Sequence, residues 1–328
     1  MLDWSMVTEQ AAKKPELRAM GDRVRCLFET IERRKFEKQV AFGGDLSVLG
    51  DGNNKRSAGY RRSLAVERVL REMPIEIEEN DLLVGVSVRD GRIVRNVLPR
   101  FILKEEAGKE TVRISHKAPG YAKLLEKGLL GLIDEVVEQV KACDDPEWIE
   151  FAGAMKRDAY AVIHLAGRYA DLAESRAAAL PEGSARALEL AEIARVCRKV
   201  PAHPAQTLHE ALQSIWFVNH AYHETEANLS MGCLDRIIAP YFEADYAAGR
   251  ITLDQAQELV DCFCLRVNDR AQIDPKNYVV PDQASIPGTT QQYAMGYGIG
   301  FVTAAGNDGT DAINHWGQNA LISGILPN

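Results

Sequence analysis

No stretch of about 18 uncharged apolar residues occurs in the sequence, so no segment has the length and composition of a membrane-spanning helix. Residues 1–14 include Asp3 and Glu9 and lack the apolar centre of a secretory leader. The expectation is an unexported, cytoplasmic protein with no membrane partner. Cysteine is sparse and scattered: Cys26, Cys143, Cys197, Cys233, Cys262 and Cys264 form no C-x-x-C pair and no regular spacing. That excludes a disulfide frame or a zinc knuckle and fits a reducing compartment. Also missing is any cluster of Lys and Arg free of intervening acids. With 39 basic against 47 acidic residues the formal charge is −8, the wrong sign for a phosphate backbone, so no nucleic acid partner is expected.

What is present is the composition of a folded chain large enough for an enzyme: 328 residues, 46% hydrophobic and 26% charged. No repeat and no low-complexity linker breaks it, so residues 1–328 read as one unit without an internal boundary. Three- and four-residue apolar spacing predicts helices over 16–38, 63–72, 119–140, 146–180, 184–200, 207–224 and 253–267. Thr207-x-x-Glu210 and Thr252-x-x-Gln255 have the form of capping boxes at the last two starts. Gly128 and Gly131 weaken the helix that contains them by roughly 1 kcal/mol each relative to alanine, and such glycines mark close backbone approach. Residues 42–61 are rich in Gly and Asn and read as a loop, while 82–88 and 297–303 are short apolar runs expected to be buried strands. Cys262 and Cys264 lie two apart on a helical pattern, point to different faces, and are expected to be buried as small hydrophobes.

Several motifs of familiar appearance fail on inspection. Gly296, Gly298 and Gly300 give no G-x-G-x-x-G in either register, because Phe301 and Thr303 stand at the third glycine sites. His209-Glu210 begins like a zinc helix, but Gln213 replaces the second histidine. His220 and His223, one turn apart beside Glu224 and Glu226, are the best metal candidates, set against the plainer reading of a polar helix end. No nucleophile elbow and no phosphate loop occurs. Two polar segments at helix ends have the character of pocket linings: 113–121, which contains His116, and 228–235, which contains Ser230. Solvated loops and caps are the alternative for both.

Read in order, these segments resemble the pyruvate formate-lyase-like family of glycyl radical enzymes. The most specific piece is Cys197-Arg-Lys-Val-Pro201-Ala-His-Pro204-Ala-Gln-Thr207-Leu-His-Glu210-Ala-Leu-Gln213-Ser-Ile-Trp216-Phe217. It is followed by Gly232-Cys-Leu-Asp235, Pro240-Tyr241, Asp245 and Gly249-Arg-Ile-Thr252. It is preceded by Glu78-Glu-Asn-Asp81-Leu-Leu-Val-Gly85 and His116-Lys-Ala-Pro-Gly-Tyr121. Residues 308–314 are similar to a further family segment. Cys233 departs from the pattern, standing where the family usually has arginine.

The resemblance implies an α/β fold, the helix-rich N-terminal part of a ten-stranded barrel made of two half-barrels. It also implies radical lyase or dehydratase chemistry on a small polar metabolite, of the broader formate C-acetyltransferase kind. The family cofactor is a protein glycyl radical installed by a radical S-adenosylmethionine iron-sulfur activating enzyme, so this chain is expected to bind no separate cofactor and no metal. In the family the catalytic cysteine and glycyl loops follow the segment matched at 308–314, and neither is found before Asn328. The chain alone is therefore expected to form no glycyl radical, and to associate with a complementary C-terminal half or with itself. Within the pocket, the resemblance makes His116 a substrate-binding and acid–base group and Ser230 a substrate hydroxyl ligand; Tyr121 and Asp235 are expected to be structural. Two alternatives stand beside this reading: a catalytically silent helical protein that binds a partner, and a metal-dependent hydrolase built on His220 and His223.

Overall fold

A computed structural model describes residues 21–34, 40–50, 52–89, 91–107, 119–225 and 231–269. The expected strand at 297–303 and the segment 308–314 lie outside them. Helix α1 (Asp22–Arg34) buries Val24, Leu27 and Ile31 along one stripe, within the predicted 16–38 span. Strand β1 (Val40–Phe42) precedes a Gly-rich loop, and α2 (Ala58–Glu72) begins five residues earlier than the apolar period suggests. Ser57 explains the difference, since its side chain accepts the Tyr60 N–H and caps the helix before the first core residue. The remaining strands are β2 (Val88–Arg89) and β3 (Arg92–Asn96); β3 lies between β1, which it pairs in parallel, and β2, which it pairs antiparallel.

Four helices follow, α3 (Tyr121–Lys141), α4 (Pro146–Ala178), α5 (Ala185–Lys199) and α6 (Leu208–Thr225). Then come α7 (Leu234–Ala247) and α8 (Leu253–Asn268). Helix α6 is buried on nearly every face, as expected of a helix enclosed by others. Its Leu208, Leu212, Ile215 and Trp216 belong to a core shared with α1, α7 and α8. Phe217 and Ala221 join a second core built from α2, α4 and α5 around Tyr169. The Thr252 capping box is complete. At α6 only half of the expected box forms: Thr207 Oγ1 accepts from the Glu210 N–H at 3.2 Å, but the Glu210 carboxylate turns to Gln206 N–H, Arg195 and Lys199.

The expected strand at 82–88 is a strand only at its last residue. Leu83, Val84 and Val86 are buried as a strand's would be, yet side chains of the helices take the place of a neighbouring strand. Gln213 donates to Val84 O (2.7 Å) and accepts from Val84 N–H (2.9 Å). Trp216 Nε1 donates to Gly85 O, Tyr169 Oη to Val86 O and His209 Nε2 to Leu82 O, each at 2.9 Å. Apolar runs of this length specify burial but not the hydrogen-bond partner, which is why the sequence pattern reads as a strand. At Gly85 the backbone has φ +136, and a Cβ there would lie 2.7 Å from Trp216 Cδ1.

Helix α3 is broken at Gly128, where φ is 66 and ψ 169. The break frees Leu129 N–H to donate to Pro201 O (2.8 Å) and Leu130 N–H to Ala202 O (3.0 Å), while Ala205 N–H donates to Leu125 O (2.9 Å). The close backbone approach expected of the glycines is therefore real at Gly128. Gly131 lies in regular helix, and the nearest atom to a Cβ built there is Lys127 Cβ in the same helix.

A cluster of buried charges joins three distant parts of the chain. Arg34 at the end of α1 bonds Glu78 (2.8 Å) and Asp269, and Arg266 on α8 bonds Asp269 (2.7 Å), Glu78 (3.2 Å) and Asp81. Burial alone would raise the Glu78 carboxyl, but Arg266 and Arg34 outweigh it and hold it below the usual carboxylate range.

Candidate active-site wall at the end of α6

The polar residues of α6 divide by position. His209, Glu210 and Gln213, near its start, are engaged with the 82–85 segment and with Arg195 and Lys199, which accounts for them structurally. Burial lowers the His209 pKa, partly opposed by its bond to the Leu82 carbonyl. A histidine whose folded pKa lies below the ordinary value of about 6.5 withdraws stability as pH falls below that value, because the unfolded chain takes up the proton first. The expected result is that H209Q, which cannot be protonated, gains on the native protein in urea midpoint as pH drops from 7 to 5. A difference that stays constant with pH would contradict a buried neutral His209.

The distal end of α6 differs. Asn219, His220, Glu224 and Thr225 are all buried, an unusual density of polar groups for one helix end. His220 stacks on Trp216 with ring centroids 5.9 Å apart, and its Nδ1 lies 3.4 Å from Glu224 Oε1. Asn96 on β3 donates to Glu224 Oε2 and, at 3.1 Å, to Ser87 Oγ; Ser87 in turn donates to Pro74 O at 2.9 Å. Asn219 Nδ2 donates to Tyr121 Oη at 3.3 Å and lies 3.8 Å from Met231 Sδ. Burial raises the Tyr121 hydroxyl to about 12, so it remains protonated at physiological pH.

His116 and Ser230 both lie outside the described residues. What the structure does describe is one flank of each segment: Tyr121 at the start of α3 and Met231 just before α7 meet at the same carboxamide, that of Asn219. Tyr121 is buried, consistent with the structural part expected of it, and Asp235 stands in the first turn of α7. Of the metal candidates His220, His223, Glu224 and Glu226, the last lies outside the described residues. His220 turns inward toward Trp216 and Glu224 while His223 is only half-buried, and no group of three or more His, Cys, Asp or Glu side chains suited to a metal occurs among the described residues. Cys197, Cys262 and Cys264 are buried, and burial raises all three thiols, Cys262 to about 12. None of them has the electropositive, accessible setting of a nucleophile. Cys233 is exposed.

Asn96 and Ser87 were invisible to sequence reasoning as parts of this wall, although a serine within the apolar run at 82–88 was a signal. Arg34 and Arg266 were missed too; each lies in line with the apolar stripe of its helix, where a charge needs a buried partner.

Residues 102–316 match the pyruvate formate lyase-like family. The chain belongs to that family of glycyl radical enzymes. It is 33% identical over 179 residues to isethionate sulfite-lyase of Nitratidesulfovibrio vulgaris, a match covering 52% of this chain and 21% of that enzyme. It is 28% identical over 238 residues to trans-4-hydroxy-L-proline dehydratase of Clostridioides difficile, covering 68% and 29% respectively. The chain thus spans between a fifth and three tenths of the length of these two relatives. The fold agrees. A Roseburia inulinivorans structure concerned with 1,2-propanediol dehydration superposes with TM-score 0.65 at 24% identity, over 76% of this chain and 38% of that one. The glycerol-bound B12-independent glycerol dehydratase of Clostridium butyricum superposes with TM-score 0.64 at 22% identity, over 79% and 41%. No helix among the described residues is long and apolar enough to cross a membrane.

Proposed function

We propose that this chain forms the N-terminal portion of a glycyl radical lyase or dehydratase, acting on a small polar metabolite that carries a hydroxyl group. In this reading the described helices are part of the wrapping and inner wall of a ten-stranded barrel, residues 1–328 form one domain portion, and the protein works in the cytoplasm. A glycyl radical, installed by a radical S-adenosylmethionine iron-sulfur activating enzyme, supplies the hydrogen abstraction. The chain's own task is to bind and orient the substrate. His116 holds a substrate hydroxyl and moves its proton, and the Ser230 hydroxyl fixes a second polar group.

The observation that carries this reading is the meeting of Tyr121 and Met231 on Asn219, which brings the described flanks of the His116 and Ser230 segments to one point. Isethionate, trans-4-hydroxy-L-proline, 1,2-propanediol and glycerol, named with the relatives and neighbours, support a small polar substrate. The test is a double-mutant cycle read by calorimetric titration with 1,2-propanediol and glycerol. H116Q and S230A should each weaken binding about tenfold, the effect of losing one good hydrogen bond. Their combined effect should depart from the sum, as for groups that share one ligand. Variants that leave binding unchanged would remove both residues from the site.

A further inference from the structure

We propose that α1 is a strap clipped to the body of the protein at both ends by arginine–carboxylate clamps, and that acid opens it as a unit while the rest of the fold holds. Helix α1 has α8 as its main neighbour, and it lays Val24, Leu27 and Ile31 into the core that holds Leu259, Cys262 and Phe263 of that helix. Near its start, Arg23 bonds Glu258 of α8 (3.2 Å), Glu189 of α5 and the Asn80 carbonyl (3.5 Å). At its last residue, Arg34 enters the buried cluster of Glu78, Asp81, Arg266 and Asp269. Arg186 on α5 stands behind both clamps: it pairs with Glu189 at 2.9 Å and donates to the Glu78 and Asp81 carbonyls, each at 2.8 Å. Asp22, Arg25, Glu29 and Arg33, also on α1, are exposed. An arginine keeps its charge at every accessible pH, so a carboxylate that takes up a proton leaves its guanidinium uncompensated. Arg34 is 2% exposed and regains water only if the end of α1 withdraws. A free helix of 13 residues is marginal in water, so release and melting coincide.

The direction of the pH effect follows from the groups at the clamps. Burial raises the Glu78 carboxyl, but Arg266 and Arg34 together hold it below its ordinary value of about 4.3; its contribution to closure is complete above that value and is lost as pH falls below it. Asp261, on α8 beside Glu258, acts the other way: burial pushes it up to about 6, and the proton it gains in the folded state favours closure as pH falls from 7 to 5. Release therefore comes below about pH 4.3. Hydrogen–deuterium exchange of the full chain, corrected for the intrinsic pH dependence of amide chemistry, is followed from pH 7 to pH 3.5 in the native protein, R34M and R23Q. Peptides covering 22–34 should exchange at least about tenfold faster at the acid end, as expected of a local opening. Helices α4 and α5, whose shared core around Tyr169 is apolar, should stay protected. Arg34→Met should leave α1 open already at pH 7. Arg23→Gln, at the half-buried clamp, should move the onset of release to higher pH and keeps the test decisive if R34M fails to fold. An α1 that keeps its protection to pH 3.5, loses it only in step with α4 and α5, stays closed in R34M at pH 7, or opens at an onset that R23Q leaves in place overturns the proposal.

Discussion

Arg266→Leu should lower the unfolding free energy by about 3–5 kcal/mol, the loss that follows when one member of a buried ion network is removed and its partners stay behind. Asp81 and Asp269 are 0% and 1% exposed, and Arg266 bonds both. Without the guanidinium, Arg34 still reaches Asp269, but nothing in the network neutralises Asp81. Taking a lone carboxylate out of water is so unfavourable that Asp81 would be protonated or the loop at 78–81 would open. Against a domain stability of about 5–15 kcal/mol, that loss is about a fifth of the total or more. Arg198→Ala is the contrast, since Arg198 pairs with Asp171 and Glu174 on the exposed surface, and its loss should be close to undetectable. Urea unfolding of both variants measures the difference. Equal effects would mean that the buried cluster holds no special place in joining α1 to α8.

Gly128→Ala should be nearly as damaging, at about 3 kcal/mol or more. The φ and ψ of 66 and 169 fall in a region that is essentially glycine's own, with a conformational cost of about 1–3 kcal/mol for any other residue. A Cβ would in addition lie 2.6 Å from His203 Cα, and that neighbour is backbone with no rotamer to yield. Relief would require the chain at 201–205 to withdraw, which breaks the bonds to Leu129 and Leu130. Gly131→Ala, three residues on in regular helix, should change stability by less than about 1 kcal/mol. A Gly128 variant as stable as the native protein would show that the break in α3 is incidental to its packing.

The contrast between these glycines also shows what was legible in the sequence. Both appear as helix weaknesses, and nothing local distinguishes them; the difference is made by residues 201–205, more than 70 positions away. Helices with an apolar stripe and a cap, such as α8 with its Thr252 and Gln255, are written locally and are found where the pattern places them. The segment at 82–88 is written locally only as buried. Its hydrogen-bond partners come from Gln213, Trp216 and Tyr169, so its departure from strand geometry is a tertiary effect. The candidate site follows the same rule. Asn219, His220 and Glu224 stand out as polar residues crowded at one helix end, but Asn96 and Tyr121 join them only through the fold. Family motifs carried what periodicity did not: the long stretch from Cys197 to Phe217 identifies the chain more sharply than any single side chain.

The most direct measurement is hydrogen–deuterium exchange with and without saturating 1,2-propanediol, resolved by peptide. If the end of α6 and the two segments flanked by Tyr121 and Met231 form the substrate-binding wall of a glycyl radical enzyme, the ligand should slow exchange in peptides spanning 108–121 and 219–231 and leave α4 and α5 unchanged. Slowing confined to α4 and α5, or no slowing anywhere at saturation, would contradict it.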